Sequence, residues 1–303
     1  KPLPDGKTGD WQHLTYAQAL TAARHIGQGL IDRGLNTDRP VVILSENSLE
    51  HAMMALACMM VGVAYCPISP AYATLSQDFE KLHHILRTLT PGLVMAADAQ
   101  RYGKALMACV ADDIEVVLCE GELPNRRTTR FEDLRHTTPT DAVDQAMQAT
   151  GPDTVVKFLF TSGSTQMPKG VINTHRMWCA NQQQMWQSMP VLGETPPVLV
   201  DWLPWNHTFG SNHNFNMVLD NGGWQAVKEA VVRMHPDGAA VRTQQFHARL
   251  GVEPRQFEQV AMAFGAHGER VTQADELQPA MQRCLQAMAR GQAALLVVQI
   301  QPL

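Results

Sequence analysis

The residues of this chain best suited to chemistry follow an apolar, β-rich run from Val155 to Phe160. They are the small and hydroxyl-bearing residues Thr161, Ser162, Gly163, Ser164 and Thr165, followed by Lys169 within Pro168-Lys169-Gly170. A loop of this composition directly after a strand can wrap a phosphate, because its backbone N–H groups are unobstructed, its hydroxyls donate and its lysine neutralises charge. The pattern predicts a site for a nucleotide triphosphate.

A simple turn is the alternative for a loop rich in serine, threonine and glycine. Thr161 to Thr165 alone would favour the turn and the phosphate loop about equally. The lysine segment at its fixed spacing shifts the balance to the phosphate loop. A Walker A loop is excluded, since the chain has no G-x-x-x-x-G-K-[ST] pattern.

Composition limits the kind of protein. With 303 residues, 45% hydrophobic and 17% charged, the chain is predicted to be globular, with one large or two modest domains. The net charge is −5 and no basic cluster is present, so neither nucleic acid nor a membrane is an expected partner. The six cysteines form no C-x-x-C pair and are predicted to be small buried hydrophobes in a reducing, cytoplasmic setting. The first residue is not methionine, which is compatible with a fragment or a processed product.

Strands and helices alternate along the chain, which predicts an α/β fold with mostly parallel sheets flanked by helices. Strands are predicted at Pro40 to Ser45, Val63 to Pro67, Leu93 to Ala96, Ile114 to Cys119, Val155 to Phe160 and Val198 to Trp202. Helices are predicted at residues 15–33, 48–61, 74–89, 98–110, 141–149 and 174–188, with capping boxes at 15–18 and 74–77. The polar residues 120–141 are predicted to form a long surface connection.

A second unusual segment, Leu203-Pro-Trp-Asn-His-Thr-Phe209, also follows a predicted strand. Ligands of open α/β sheets bind beyond the carboxyl ends of the strands. The phosphate loop and this segment, which contains His207, are therefore expected at one edge of the sheet.

The order of these motifs resembles the adenylate-forming superfamily, which includes acyl-CoA synthetases, luciferases and peptide-synthetase adenylation domains. Supporting segments are Leu14-Thr15-Tyr16, Asn47-Ser48, Gly62-Val-Ala-Tyr-Cys-Pro67 and Leu203 to Gly210. Ser69-Pro-Ala-Tyr72, Ser76-Gln-Asp-Phe79, Val171-Ile-Asn-Thr-His175 and Asp201 to Phe215 resemble the feruloyl-CoA synthases in particular. The resemblance covers about residues 10–221.

This resemblance implies an AMP-forming acid–CoA ligase that uses ATP, Mg²⁺ and CoA on an aromatic carboxylic acid. Thr161, Ser162, Gly163, Ser164, Thr165 and Lys169 would cradle the β- and γ-phosphates of Mg-ATP. His207 would lie beside the acyl group and AMP, and His207 and Lys169 would be the catalytic residues. Gln166 stands where the family usually has glycine, which takes positive φ at low cost, so the loop is expected to be strained or reshaped there.

Other conspicuous residues have competing interpretations. His175, His207 and His213 are irregularly spaced, so a polar pocket edge is favoured over a metal site, and no metal ligands are predicted. Trp202 and Trp205 fit core packing and an aromatic pocket for a phenylpropenoid acid equally well. The methionine-rich helix from Met53 to Met60 is expected to be core.

The segments after residue 221 depart from this family. Asn221-Gly-Gly-Trp-Gln-Ala-Val-Lys228, Met234 to Gly238, Phe257 to Val271 and Glu276 to Met281 resemble the C-terminal end of thiamine-diphosphate enzymes of the acetolactate-synthase type. Helices at about 255–264 and 274–290 and a strand from Ala294 to Ile300 are predicted there. The chain is thus interpreted as an incomplete ligase-like region, 1–221, joined to a fragment, 222–303; a diverged single family member is the alternative.

Two further ligase motifs are not found after residue 221: a Gly-Tyr-Gly-x-Thr-Glu segment, whose glutamate helps to hold Mg²⁺, and a Thr-Gly-Asp, whose aspartate binds the ribose. The small domain that carries the family's catalytic lysine is not found there either. Little or no ligation is therefore expected. A non-catalytic nucleotide- or acid-binding module, a non-functional fusion fragment and a thiamine-diphosphate lyase remnant are the alternatives.

Overall fold

The computed structural model describes residues 12–161, 167–189, 192, 199–219, 258–259, 262 and 265–298. The chain divides into two compact units, Lys1–Met185 with Pro197–Val227 and Trp186–Pro196 with Lys228–Leu303. Among the described residues, no helix is long and apolar enough to cross a membrane.

The first unit is built on a seven-stranded sheet in the order β5-β4-β3-β1-β2-β6-β7. Its strands are β1 (Val41–Leu44), β2 (Tyr65–Pro67), β3 (Leu93–Asp98), β4 (Glu115–Glu120), β5 (Thr129–Arg130), β6 (Val155–Thr161) and β7 (Lys169–Thr174). All neighbouring strands are parallel except β6 and β7, which are antiparallel. The predicted α/β class with a mostly parallel sheet is confirmed.

In the part of the chain that the structure describes, eight helices lie between these strands or follow them, and the last of them extends three residues beyond Met185. They are α1 (Tyr16–Asp32), α2 (Leu49–Met60), α3 (Ala71–Thr74), α4 (Glu80–Leu89), α5 (Ala99–Cys109), α6 (Phe131–Arg135), α7 (Asp141–Ala149) and α8 (His175–Ser188). A π-helical segment, Phe209–Phe215, lies farther along the chain.

Both faces of the sheet are covered, as the fully buried strand β1 shows. Val41 and Ile43 belong to one apolar cluster, which includes residues of α1 and α2. Val42 and Leu44 belong to a second cluster, which includes residues of α4 and α5. Because successive side chains of a strand point to opposite faces, the continuous apolar run at Val41–Leu44 requires helices on both sides.

The predicted capping box at the start of α1 is confirmed. Thr15 Oγ1 accepts a hydrogen bond from the Gln18 backbone N–H at 3.2 Å, and the Thr15 N–H donates to Gln18 Oε1 at 2.9 Å. Gly34, with φ +65°, follows the end of this helix, where a positive φ is least costly for glycine.

The capping box predicted at 74–77 is wrong. Thr74 ends α3, and its hydroxyl donates back to the Pro70 carbonyl at 3.0 Å. The next helix begins at Glu80, where Ser76 Oγ accepts from the Phe79 N–H and Asp78 Oδ1 accepts from the Glu80 N–H, both at 3.1 Å. The N-cap position is Phe79, whose side chain makes no capping hydrogen bond, and Asp78 instead accepts from the first N–H of the helix.

The surface connection predicted for 120–141 is also wrong in part, because it contains β5 and α6. Phe131 and Leu134 of α6 are only 3% and 1% exposed and join the core. Two apolar residues three positions apart in a polar stretch were the only sequence signal of this helix.

The second unit contains β8 (His267–Val271), a 3-10 turn (Ala274–Glu276), α9 (Leu277–Ala289) and β9 (Ala294–Val298). The two strands are parallel. The predicted helix and final strand are confirmed within the described residues, whereas β8 was not predicted. Of the helix predicted at 255–264, residues 258, 259 and 262 are described and are helical.

The cysteines form no disulfide, and Cys58, Cys66 and Cys284 are buried as predicted. The prediction of buried cysteines is wrong for Cys179, which lies exposed on α8. Its neighbour Trp178 occupies the buried side of that helix.

Replacing Ser48 with alanine tests the cap of α2. Ser48 Oγ accepts from the His51 N–H at 3.1 Å, so alanine leaves one backbone donor without its partner. We expect Ser48→Ala to lower the free energy of unfolding by about 1 kcal/mol in urea denaturation, with Ser48→Thr close to wild type. An equal loss in both variants would contradict a capping role.

Candidate active site

The phosphate-loop residues that are described lie at the open end of a hairpin. Thr161 ends β6 and Lys169 begins β7; the two are paired in the antiparallel register, and both are exposed. Thr161 Oγ1 donates to the Lys169 carbonyl at 3.4 Å. Ser162, Gly163, Ser164, Thr165 and Gln166 lie outside the described residues. The hairpin itself was not predicted, because β7 shows no alternation of apolar and polar residues.

The segment that contains His207 is held by Asn47, which follows β1. Asn47 Nδ2 donates to the Leu203 carbonyl at 2.8 Å, and Asn47 Oδ1 accepts from the Trp205 N–H at 3.0 Å. The strand predicted at Val198 to Trp202 is wrong for its described part, since residues 199–202 have no strand structure. A side-chain amide therefore positions this segment in place of a strand.

The side chain of Asp201 stabilises the turn by hydrogen bonds. Its carboxylate accepts hydrogen bonds from the Leu203 N–H and from Trp205 Nε1, each at 3.1 Å, and from Asn214 Nδ2 at 2.8 Å. Three donors from two parts of the chain converge on one side chain. The turn and the π-helical segment are thereby tied together.

His207 lies exposed at the end of this turn. Its backbone N–H donates to the Pro204 carbonyl at 3.0 Å, and its Nδ1 accepts from the Phe209 N–H at 3.3 Å. Because Nδ1 accepts a backbone N–H, the neutral imidazole carries its proton on Nε2. That proton is available for donation to a carboxylate or phosphate oxygen.

The π-helical segment packs closely under the turn. A Cβ at Gly210 would lie 2.5 Å from the Pro204 oxygen and 2.7 Å from the Leu203 oxygen, so only glycine fits without moving the backbone. Trp205 packs against Phe215 at 4.6 Å and against the His51 ring at 5.2 Å. Trp205 therefore packs inward, whereas Trp202 is 82% exposed.

A fully buried lysine lies behind this segment. Lys157, in the middle of β6, donates a short hydrogen bond from Nζ to Ser211 Oγ of the π-helical segment. The amine lies 4.1 Å from the Trp178 ring centroid and 5.8 Å from that of Tyr65. Burial holds the pKa of Lys157 well below its usual value. The sequence marked this residue only as one lysine within an apolar run.

Side-chain amides continue the contact from β7 to α8. Asn212 Oδ1 accepts from Trp178 Nε1 at 2.8 Å, and Asn212 Nδ2 donates to Asn173 Oδ1 at 2.8 Å. Gln182 Nε2 donates to the Asn212 carbonyl at 2.7 Å. Strand β7, helix α8 and the π-helical segment are thus joined through Asn212.

The two candidate regions share one edge of the sheet. Asn47 follows the carboxyl end of β1, Thr161 ends β6, and only β2 lies between these strands. Neighbouring strands are about 4.8 Å apart, so the carboxyl ends of β1 and β6 are separated by about 10 Å. The predicted placement of Thr161 and of the His207 segment at a common edge agrees with this geometry.

The histidines considered for a metal site have other surroundings. His213 stacks on Phe209 at 4.5 Å, and its Nδ1 lies 2.8 Å from Asn214 Oδ1. His175 begins α8. Among the described residues, no group of three or more His, Cys, Asp or Glu side chains is placed to hold a metal ion.

Comparison with known proteins assigns the family. The sequence model described as "AMP-binding enzyme" matches residues 3–295. This chain belongs to the AMP-binding enzyme family, whose members form the adenylate-forming superfamily. The match continues past residue 221, the boundary that the sequence motifs suggest.

Two curated relatives are CoA ligases by name. The chain is 29% identical over 211 residues to a putative fatty-acid–CoA ligase, fadD21, of Mycobacterium leprae (strain TN), covering 66% of this chain and 34% of that protein. It is 26% identical over 221 residues to 3-[(3aS,4S,7aS)-7a-methyl-1,5-dioxo-octahydro-1H-inden-4-yl]propanoyl:CoA ligase of Rhodococcus jostii (strain RHA1), covering 69% and 41%. The chain therefore spans about a third to two fifths of these relatives.

Among solved structures, ATP-bound MatB from Rhodopseudomonas palustris is similar, with a TM-score of 0.55 and 25% identity. The similarity covers 69% of this chain and 38% of that one. It supports the same arrangement of sheet and helices in the first unit.

Stability should depend on pH through His51, which is buried beneath Trp205. Burial, together with the nearby Lys157, lowers the pKa of His51 from 6.5 to about 4. The contribution of the neutral His51 imidazole to the free energy of unfolding is therefore fully present above pH 6.5 and is lost as the pH falls through 4. The total loss is about 3 kcal/mol. We expect denaturant titrations between pH 7 and 4 to show this loss, and His51→Gln to flatten the slope. An unchanged slope in His51→Gln would contradict the assignment.

Proposed function

We propose that this chain binds ATP at the loop between Thr161 and Lys169 and a carboxylic acid beside His207, as an AMP-forming acid–CoA ligase does. The observation that carries the proposal is the common sheet edge: Thr161 ends β6, Asn47 follows β1 and holds the turn, and the ends of these two strands are about 10 Å apart by strand spacing. Membership of the AMP-binding family and the CoA ligases among its relatives support the reaction class.

In the proposed reaction, a carboxylate oxygen attacks the α-phosphorus of ATP, and pyrophosphate leaves. Lys169 and the N–H groups and hydroxyls of the predicted loop would stabilise negative charge on the phosphates, since phosphoryl transfer depends mainly on positioning and electrostatics. His207 Nε2–H would donate to an oxygen of the carboxylate or of AMP. The CoA thiolate would then displace AMP.

Mg²⁺ would neutralise further phosphate charge when ATP is bound. Thr161 and Lys169 are the described residues at the two ends of the predicted phosphate loop. We assign the ion no protein ligand, since no group of three or more His, Cys, Asp or Glu side chains among the described residues could hold it.

The acid that we propose is aromatic, of the ferulate type. The motifs that resemble those of feruloyl-CoA synthases support it, as does Phe209, which is half-exposed two residues after His207. The exposed Trp202 offers a further flat apolar surface.

Calorimetry with Mg-ATP tests nucleotide binding. We expect the chain to bind ATP and Lys169→Met to weaken binding about tenfold to a hundredfold, because a charge-assisted phosphate contact is lost. Lys104→Met, which removes another exposed lysine, is the matched control. No heat and no thermal shift with ATP would refute the proposal, and equal affinities of wild type and Lys169→Met would remove Lys169 from the site.

Ligation itself is expected to be slight. Residues 222–303 are proposed to be a separate piece, similar to the end of thiamine-diphosphate enzymes, and the ligase motifs for the ribose and for the catalytic lysine are not found in this sequence. Incubation with ferulate, ATP and CoA should form little or no feruloyl-CoA. Turnover at about 1 s⁻¹ or faster would contradict the incomplete-ligase interpretation.

A fusion fragment without stable function is the second candidate. One observation favours it: Met281, Leu285 and Met288 lie on one face of α9 and are each more than half exposed. Such a face promotes association. Self-association without ATP binding would support this candidate, whereas a monomer with a sharp cooperative melt would exclude it.

A further inference from the structure

The side chain of Lys157 is buried to a degree that is unusual for a lysine. Lysines are almost never fully buried unless they are paired, and Lys157 has an exposure of 0%. No carboxylate pairs with it among the residues that the structure describes. A methionine would fill similar space without the cost of removing an amine from water. Among the described residues, the hydrogen-bond partner of Lys157 Nζ is Ser211 Oγ.

The position of Lys157 connects the two halves of the proposed site. It lies on β6, four residues before Thr161, where the phosphate loop begins. Ser211 lies four residues after His207, and the Ser211 N–H donates to the His207 carbonyl at 2.9 Å. Two hydrogen bonds therefore connect β6 to the backbone of His207: one from the Lys157 side chain to Ser211, and one from the Ser211 main chain to His207.

The surroundings keep the amine in place. Trp178 of α8 lies over it at 4.1 Å, and Trp178 is itself held by its hydrogen bond to Asn212, next to Ser211. The titratable groups that face it are Tyr65 of β2 and His51 of α2, and burial keeps both uncharged near neutral pH. Because both residues are buried, the hydrogen bond between Lys157 and Ser211 lies in surroundings of low dielectric, which strengthen it.

We propose that Lys157 is a positioning residue, whose hydrogen bond to Ser211 sets the placement of His207 relative to the end of β6 at Thr161. This role rests on the proposed function, since it matters only if nucleotide and acid bind at those two places. Lys157 touches neither ligand. Its effect is that ATP on the loop and a carboxylate at His207 are held at the spacing that attack on the α-phosphorus requires.

Variants of both partners test this role, with two readouts. Lys157→Met removes the donor, Ser211→Ala removes the acceptor, and Lys104→Met is the exposed control. The first readout is the change in ferulate affinity that a saturating non-hydrolysable ATP analogue produces. We expect Lys157→Met and Ser211→Ala each to reduce that change in ferulate affinity about fivefold to tenfold. The double variant should lose no more than either single variant, because both remove the same interaction, and Lys104→Met should match wild type.

The melting temperature separates positioning from packing. Lys157→Met removes a buried amine from an apolar core, and Ser211 keeps Tyr65 as a side-chain partner, so we expect the melting temperature to equal or exceed that of wild type while the coupling falls. A purely structural role would lower both together. If Lys157→Met does not fold, Ser211→Ala is judged from the coupling and the His207 signals and not from its melting temperature, because it leaves the buried Lys157 amine without an acceptor.

The second readout needs no ligand. The imidazole signals of His207 in ¹⁵N–¹H spectra, assigned with His207→Gln, should shift in Lys157→Met and Ser211→Ala but not in Lys104→Met. Unshifted signals, or unchanged coupling in both variants, would overturn the inference. If wild type binds no ATP, the proposed function fails, and the positional claim is then judged from the His207 signals alone.

Discussion

The arrangement of this site depends on one polar contact, the clamp that Asn47 makes on the turn before His207. The turn has no strand to hold it, and both functional groups of one amide engage its backbone, at 2.8 and 3.0 Å. Asn47 is placed by the end of β1, the central strand of a parallel sheet with helices on both faces. The sheet thus supports an irregular segment through side chains, Asn47 at the turn and Lys157 behind it, which is how open α/β sheets commonly present binding groups.

Buried polar groups recur behind that turn, and their cost constrains the interpretation. A hydrogen bond between neutral groups contributes about 1 kcal/mol net, whereas an unpaired buried partner costs about 1–3 kcal/mol. Asn212 pairs with Trp178 Nε1, Asn173 Oδ1 and Gln182 Nε2, so these groups specify one arrangement of β7, α8 and the π-helical segment. Gln182 Oε1 is buried without a hydrogen-bond partner among the described residues, which is a cost of that arrangement. Such a network defines geometry more than it adds stability.

Local sequence patterns predicted several elements whose signals are local, although the equally local pattern at 74–77 misplaced the start of α4. The capping box at Thr15 and the apolar run of β1 each identify an element without reference to the rest of the fold. Features made by distant partners escaped prediction. The turn at 199–207 looked like a strand because Leu199 and Val200 are apolar, yet its conformation is set by Asn47, more than 150 positions away in sequence. Strand β7 and the role of Lys157 likewise depend on neighbours that the sequence does not place side by side.

The junction of β7 and α8 has a mechanical consequence. Strand β7 ends at Thr174 and α8 begins at His175, so no flexible residue separates them. As an edge strand, β7 is held on one side only, by β6. Because the strand and the helix are contiguous, a shift of β7 along β6 would be transmitted to α8, whose Trp178 covers the Lys157 amine. The register of the hairpin and the cover over that amine are therefore coupled through one continuous stretch of chain.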